Sequence, residues 1–332
     1  MSKNQKSCVI VGAGISGLLA ANTLKQEGWT VTVLDKGGVG GRMATRRVGE
    51  GTFDHGTQFF TVRGERFANL VEGWLRAGVA TEWTHGFADA EGQPNEDGHP
   101  RYRGSEGMTS IPMHIAHGLD VRTGERVIGV DDGDDGWEAV CESGLRVAGD
   151  ALLLGAPVPQ ALELTSSGSY TLPDGARRQL EAVSYDPCLA LMVLLDDSTG
   201  VPEPGGMQIK SEPLDWIGDN RRKGISETPA VTVHAGSEWS RSHFEDDERE
   251  ITESMISQAG DHLGTDLARA VVATSLARWR YSWVTNPHPE PCLVVSDDPP
   301  LLFCGDAFGQ PKVEGAALSG LAAADHLLDC NA

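Results

Sequence analysis

The chain has 332 residues, a net charge of −21 and 39% hydrophobic residues. That length favours two lobes sharing a cleft over a single core. No apolar run approaches a membrane span, and so acidic a surface repels nucleic acid and anionic membranes.

After Met1 the opening residues are polar and run directly into a strand, which leaves no room for a signal peptide, so a cytoplasmic protein is expected. The stretch Cys8–Val11 is a short apolar strand, followed by Gly12-Ala13-Gly14-Ile15-Ser16-Gly17. Ile15, Leu18, Leu19 and Leu24 then recur at helical spacing up to Gly28. In this strand–turn–helix the three glycines have separate tasks. Gly12 permits the turn, Gly14 admits a pyrophosphate to the backbone, and Gly17 lets the helix pack close. The helix N-terminus offers free amides to the phosphates. A second strand, Thr30–Leu34, ends in Asp35, which lies 18 residues beyond Gly17, near the distance at which an acid meets a ribose hydroxyl.

The segment Lys36 to Arg47 is rich in glycine and arginine. The amides of Gly40 and Gly41 and the guanidinium of Arg42 are placed to meet a second phosphate. NAD has no need of this second loop, whereas a longer flavin nucleotide does, so FAD is the expected cofactor. Asp54 and His55 fall where the chain returns towards the flavin ring. A hydrogen-bonding or backbone role for His55 is preferred to general base, because no orienting partner is evident. Residues 63–77 read as an amphipathic helix and 86–98 as a polar loop. Ile111–His117 reads as a helix. Strands follow at Val127–Val130, Trp137–Cys141, Leu145–Val147 and Ala151–Gly155, the last rejoining the parallel sheet.

Further strands are expected at Leu189–Leu195, Leu214–Ile217 and Ala230–His234, and an acidic helical region from Trp239 to Leu263. The run Arg278-Trp279-Arg280-Tyr281 alternates cationic and aromatic side chains. It either lines a flat anionic substrate by stacking and charge pairing or is a half-buried strand with its arginines in solvent. Near the end, the strand Leu301–Cys304 stops at Gly305-Asp306, and a small-residue helix begins near Val313. Asp306 is a candidate for a ribityl or ribose hydroxyl, and the helix start for the flavin pyrimidine edge. Cys8, Cys141, Cys188, Cys292, Cys304 and Cys330 include no CxxC pair and are read as reduced thiols, with no disulfide frame and no metal site. Acidic runs at 131–135 and 245–248 are read as solvated surface.

These segments together resemble the flavin amine-oxidase superfamily, and within it the renalase-like flavoproteins. The resemblance rests on Gly12–Gly17, Gly40-Gly41-Arg42-Met43, Asp54-His55-Gly56-Thr57-Gln58-Phe59-Phe60-Thr61, Arg101-Tyr102, Gly107-Met108, Pro213-Leu214-Asp215-Trp216, His234-Ala235, Glu238-Trp239-Ser240, Arg278–Tyr281, Cys304-Gly305-Asp306 and Val313-Glu314-Gly315-Ala316. Phe59 departs from the tyrosine that relatives often carry, which leaves the substrate preference open. The resemblance implies an α/β fold of the glutathione reductase or p-hydroxybenzoate hydroxylase type. A Rossmann-like FAD domain (1–62, 103–157, 297–332) would be interleaved with an α+β substrate domain containing a mixed sheet (63–102, 158–296).

It further implies noncovalent FAD and oxidation of isomeric dihydro forms of NAD(P) by hydride transfer to flavin N5. Dioxygen would be the acceptor and hydrogen peroxide a product. The candidate cofactor contacts are Gly12, Gly14, Ile15, Ser16, Gly17, Asp35, Lys36, Gly41, Arg42, Met43, Asp54, His55, Gly56, Thr57, Val127, Asp306, Val313, Glu314, Gly315 and Ala316. Trp279, Tyr281 and Trp216 are candidates to stack on substrate, Arg280 and Arg63 to bind its phosphates, and His55 completes the set. Alternative readings are a flavin-containing amine oxidase and a non-catalytic FAD- or NAD-binding module. The expected partners are a small-molecule donor (a dihydronicotinamide nucleotide or an amine) and dioxygen, with no nucleic acid or membrane, and the oligomeric state is left open with a monomer favoured.

Overall fold

A computed structural model describes residues 5–133 and 136–330, so Asp134 and Asp135 of the first acidic run lie outside the described residues. The chain divides into two compact units. One comprises Met1–Gly41, Pro112–Ser184 and Val284–Ala332; the other comprises Arg42–Ile111 and Tyr185–Trp283.

The first unit is built on a six-stranded sheet in the order Leu293–Asp297, Pro300–Phe303, Ala151–Leu154, Ser7–Val11, Thr30–Asp35, Asp120–Thr123. All pairs are parallel except the first. The central strands are apolar on both faces because helices cover the sheet; Ile10, Leu152, Leu153 and Leu302 are completely buried. Strands from the two ends of the chain thus flank Ala151–Leu154, as the parallel-sheet expectation requires. The helices Ile15–Gln26 and Lys312–Asp329 meet through glycine: a Cβ on Gly320 would lie 2.0 Å from the carbonyl oxygen of Ser16. A three-stranded antiparallel sheet, Val127–Gly133, Gly136–Cys141 and Arg146–Gly149, completes this unit. The helix Val158–Ser167 closes onto it where a Cβ on Gly168 would lie 1.8 Å from the Val130 carbonyl oxygen.

The second unit is a seven-stranded mixed sheet in the order Val271–Asn286, Ser184–Leu195, Ala230–Ala235, Leu214–Asp219, Gly206–Ser211, Ala80–Ala88, Pro94–Gly104. The helix Glu248–Leu263 covers one face, starting at an Asp247 cap that accepts from the Arg249 amide and ending at left-handed Gly264. Ile251, Met255 and Ala259 of that helix join Leu191, Val193, Ile217 and Val233 in the core.

Three expectations are corrected. Residues 86–88 and 94–98 are not loop but belong to the facing strands Ala80–Ala88 and Pro94–Gly104, with only 89–93 left as the connecting turn. Pro94–Gly104 is the sheet's edge strand, and an edge strand keeps much of its surface in water and so reads as polar, while the turn is fixed by Asp89 Oδ1 accepting from the amides of Glu91 and Gln93. Residues 42–62 and 103–111 fall in the second unit rather than with the nucleotide strands. Phe53, on the hairpin Thr45–Val48/Gly51–Asp54, is buried among Ala190, Met192, Leu194 and Ala230. Residues 158–184 and 284–296 fall in the first unit, because the helix of the former packs on the three-stranded sheet and the strand Leu293–Asp297 of the latter joins the six-stranded one. Among the described residues no helix is long and apolar enough to cross a membrane.

Candidate active site

In the first unit the carboxyl ends of the parallel strands are joined by main-chain bonds. Gly12 N donates to Leu34 O, Gly155 N to Val11 O and Cys304 N to Leu154 O, at 2.8, 2.8 and 3.0 Å. This brings the Gly12–Gly17 turn and Gly305-Asp306 to the same edge, two strand spacings or about 10 Å apart. It is the edge at which open α/β sheets bind ligands.

Gly12 has φ +113, and a Cβ on Gly17 would lie 2.2 Å from the Gly12 carbonyl oxygen, so the fold itself requires both glycines. Gly14 differs. Its φ is −77, open to any residue, and a Cβ there would meet nothing within 4 Å. The missing side chain at Gly14 therefore serves neither conformation nor packing. It leaves a bare surface beside the first-turn amides of Ile15, Ser16 and Gly17, which have no partner within the helix. Asp35 closes the turn: Oδ2 accepts from Ala13 N at 2.8 Å and Oδ1 from Gly37 N at 2.7 Å. Gly40 N donates to Ala13 O, which places Gly41, at φ +55, against Gly14.

At the other end of the chain, Gly305 N donates to Ser319 Oγ at 2.8 Å, anchoring Asp306 to the last helix. That helix opens at Lys312 with φ 78, a left-handed conformation rare outside glycine. A Cβ on Gly315 would lie 1.5 Å from the Gln310 carbonyl oxygen, so glycine is obligatory there. Val313 and Ala316 are buried and Glu314 is half-buried on this first turn. Lys36 is exposed and reaches Gln160 Oε1, and Val127 is buried opposite Cys141.

In the second unit the segment 54–58 is clamped from beneath. Asp54 is completely buried. Its Oδ1 accepts from Thr45 Oγ1 (2.6 Å) and Met108 N (2.8 Å), and its Oδ2 faces Lys223 Nζ at 2.6 Å. Lys223, itself buried, also donates to Gln58 O at 2.5 Å. The Asp54 carboxylate, expected at the cofactor, is thus fully used inside this unit. Lys223 was not legible in the sequence, since Arg221-Arg222-Lys223-Gly224 looks like any basic surface turn. Burial lowers the Lys223 pKa while the Asp54 charge opposes that shift, and the nearby Arg103 is lowered by burial as well. Met43 is buried, Thr57 N donates to Arg42 O at 2.7 Å, and Arg42 reaches Ser282 O at 3.4 Å. A Cβ on Gly56 would lie 2.2 Å from the Arg42 carbonyl oxygen.

Above this clamp His55, Gln58, His234 and Trp279 come together. Trp279 Nε1 donates to His55 O at 2.9 Å, and the two rings lie 5.2 Å apart. Gln58 Nε2 lies 3.5 Å from His234 Nε2 and also donates to Asp54 O. His55 Nδ1 and Gln58 Oε1 are buried without a hydrogen-bond partner in the protein. Burial pushes both imidazoles down to about 4, with Arg46 adding to the effect at His55. Both are therefore neutral at pH 7.

The strand Val271–Asn286 settles its own stripe by alternation. Trp279 and Tyr281 are half-buried on one face, Tyr281 packing edge-on to Tyr185 at 5.5 Å. Arg278 and Arg280 occupy the opposite face. Arg278 donates to the carbonyls of Phe244 and Asp246, and Arg280 pairs with Glu245 at 2.6 Å over the Phe244 ring. Arg280 therefore does not stand with the aromatic pair as a phosphate ligand. Arg63 is exposed just ahead of the helix Glu65–Arg76. Trp216 is 4% exposed, enclosed by Phe87, Phe59 and Trp83. That makes it a wall residue rather than an open stacking platform.

A parallel sheet with a glycine turn at its carboxyl edge, interleaved with a mixed-sheet unit, is a dinucleotide-binding α/β architecture. The model for flavin-containing amine oxidoreductases matches residues 65–328, and that for an NAD(P)-binding Rossmann-like domain matches residues 10–74. The chain belongs to the flavin-containing amine oxidoreductase family. Its fold is shared with a cofactor-binding mutant of putrescine oxidase, at TM-score 0.75 and 16% identity over 98% of this chain and 99% of that one. It is also shared with a putative protoporphyrinogen oxidase from Exiguobacterium sp. 255-15, at TM-score 0.76 and 13% identity over 99% and 100%. The protein is an FAD-dependent oxidoreductase. The open space at Gly14 and the free amides beside it fit a pyrophosphate.

Proposed function

We propose that the donor is a dihydronicotinamide nucleotide, an isomer of NAD(P)H, with dioxygen as acceptor and hydrogen peroxide as product, as in renalase-like flavoproteins. In the first unit the Gly12–Gly17 turn holds the pyrophosphate, Asp35 the ribose, and Asp306 with the start of the last helix the far end of the nucleotide. FAD, when bound, supplies the hydride acceptor and the route to dioxygen.

The chain's own task is then to hold a flat ring and exclude water. Trp279 and Tyr281 offer faces for it. The carrying observation is the acid–base character of the His55–His234 cluster. A dihydropyridine that loses hydride becomes a pyridinium and sheds no proton. An alkylammonium donor must lose a proton as well as a hydride. Neutral imidazoles of pKa about 4 are poor bases towards an ammonium of pKa about 10. The nearby Asp54 carboxylate is already paired with Lys223. The set supports a donor that needs no base.

A second reading, oxidation of an amine, is favoured by the family match and by the fold shared with putrescine oxidase. Anaerobic titration of the yellow holoprotein, followed by flavin absorbance, separates the two. Isomeric dihydronicotinamides are expected to bleach it, and putrescine and other amines are not. Bleaching by amines alone sinks the proposal. Bleaching by no donor leaves a flavin-binding module.

A further inference from the structure

The helix Lys312–Asp329 carries its cofactor-side residues on its first turn. At its other end stands a cluster that the flavin chemistry does not use. His326 and Cys330 are four residues apart and so share one side of the helix. Asp297, the last residue of the strand Leu293–Asp297, faces them. Asp297 Oδ1 lies 2.8 Å from His326 Nε2 and 3.6 Å from Cys330 Sγ, and Sγ lies 3.4 Å from Nε2.

The geometry points to a metal site here, formed by Asp297 Oδ1, His326 Nε2 and Cys330 Sγ, for a divalent cation of the zinc class. Zinc takes sulfur at about 2.3 Å and nitrogen or oxygen at about 2.0–2.2 Å in a tetrahedron. Those lengths make the sulfur–nitrogen and sulfur–oxygen edges about 3.5 Å and the nitrogen–oxygen edge about 3.3 Å. The two sulfur edges are already met. The nitrogen–oxygen edge is shorter because the two groups are hydrogen-bonded, and the exposed Asp297 side chain is free to open it. One thiolate, one imidazole and one carboxylate suit zinc better than calcium or magnesium, which take oxygen ligands. The negative end of the helix dipole adds to the attraction for a cation. The cluster is open to solvent, which leaves a fourth position for water. Sequence spacing alone does not show it, because Asp297 is 29 residues from His326.

The test uses the FAD-loaded protein after chelator treatment, titrated with zinc chloride by calorimetry. One equivalent is expected to bind. Cys330→Ser and His326→Gln should each weaken binding by at least about tenfold. Both residues lie about 18 Å or more along the helix from Glu314, so flavin content should be unchanged in both variants. Zinc should also protect the Cys330 thiol of the parent protein from iodoacetamide, read by peptide mass spectrometry, whereas calcium should not. The site is ruled out if no zinc binds, if both variants bind as tightly as the parent, or if calcium protects the thiol equally. Either of the last two results would place the cation on the general acidic surface.

Discussion

The two units solve different problems with different materials. The nucleotide edge of the first unit is made almost wholly of backbone: glycines without side chains, amides at a helix start, and Asp35 tying the turn. The His55–His234–Trp279 cluster of the second unit is made of side chains held over a buried ion pair. Backbone sites leave a local signature, because glycine must stand at fixed offsets. A side-chain site assembled from residues 54–58, 223, 234 and 279 leaves none, since its spacing exists only after folding.

The sharpest way to break this contrast is Lys223→Met. It strands a completely buried Asp54 carboxylate, and removing one partner of such a pair typically costs about 3–5 kcal/mol. Denaturant unfolding should show that loss. The double variant Asp54→Asn/Lys223→Met should recover much of it, because no uncompensated charge remains. If the single variant is as stable as the parent, the pair does not clamp the 54–58 segment.

Acidification should act on the second unit through His55 and His234. Their folded pKa values, about 4, lie below the ordinary 6.5. Depressed basic groups leave stability intact above about pH 6.5. As pH falls towards 4 the unfolded chain takes up protons that the folded chain refuses, and stability is lost. The drop from pH 7 to 5 should be on the order of 2 kcal/mol per ring. His55→Gln and His234→Gln should each flatten the profile of unfolding free energy against pH. A parent profile already flat over that range would mean the rings are not held neutral by burial.

In the first unit, two neighbouring glycines should separate folding from binding. Gly17→Ala forces a Cβ against the Gly12 carbonyl and should destabilise by about 1–3 kcal/mol. Gly14→Ala meets open space, so the apoprotein should stay within about 1 kcal/mol of the parent. Retained flavin, measured after gel filtration, should nevertheless fall. A Gly14→Ala protein that stays fully yellow would remove the pyrophosphate from this turn.

What could be read from the sequence follows the same division. The strand–turn–helix at Gly12–Gly17, the acid at Asp35 and the closing Gly305-Asp306 were all legible, since each is set by local backbone geometry. The grouping of residues 42–62 with the second unit was not. It depends on Phe53 entering a core made by strands more than a hundred residues away. Residues 94–98 read as loop in the sequence because an edge strand and a loop have the same polar composition. Lys223 reads as a surface lysine in the sequence because only burial distinguishes it from one.

The direction of the Arg280 side chain is the finest test of strand alternation. In sequence, Arg278-Trp279-Arg280-Tyr281 presents cations and rings as one stripe. In the folded strand they part to opposite faces, and Arg280 spends its charge on Glu245 in solvent. Exposed pairs of this kind contribute little to stability, and this one faces away from Trp279. Arg280→Ala should therefore keep the parent's turnover with its reducing donor. Trp279→Ala should lose most of it, because the indole both covers His55 and holds the His55 carbonyl. Steady-state peroxide release by the two variants decides the matter. If Arg280→Ala is the more damaged, the substrate lies on the arginine face and the aromatic face is only packing.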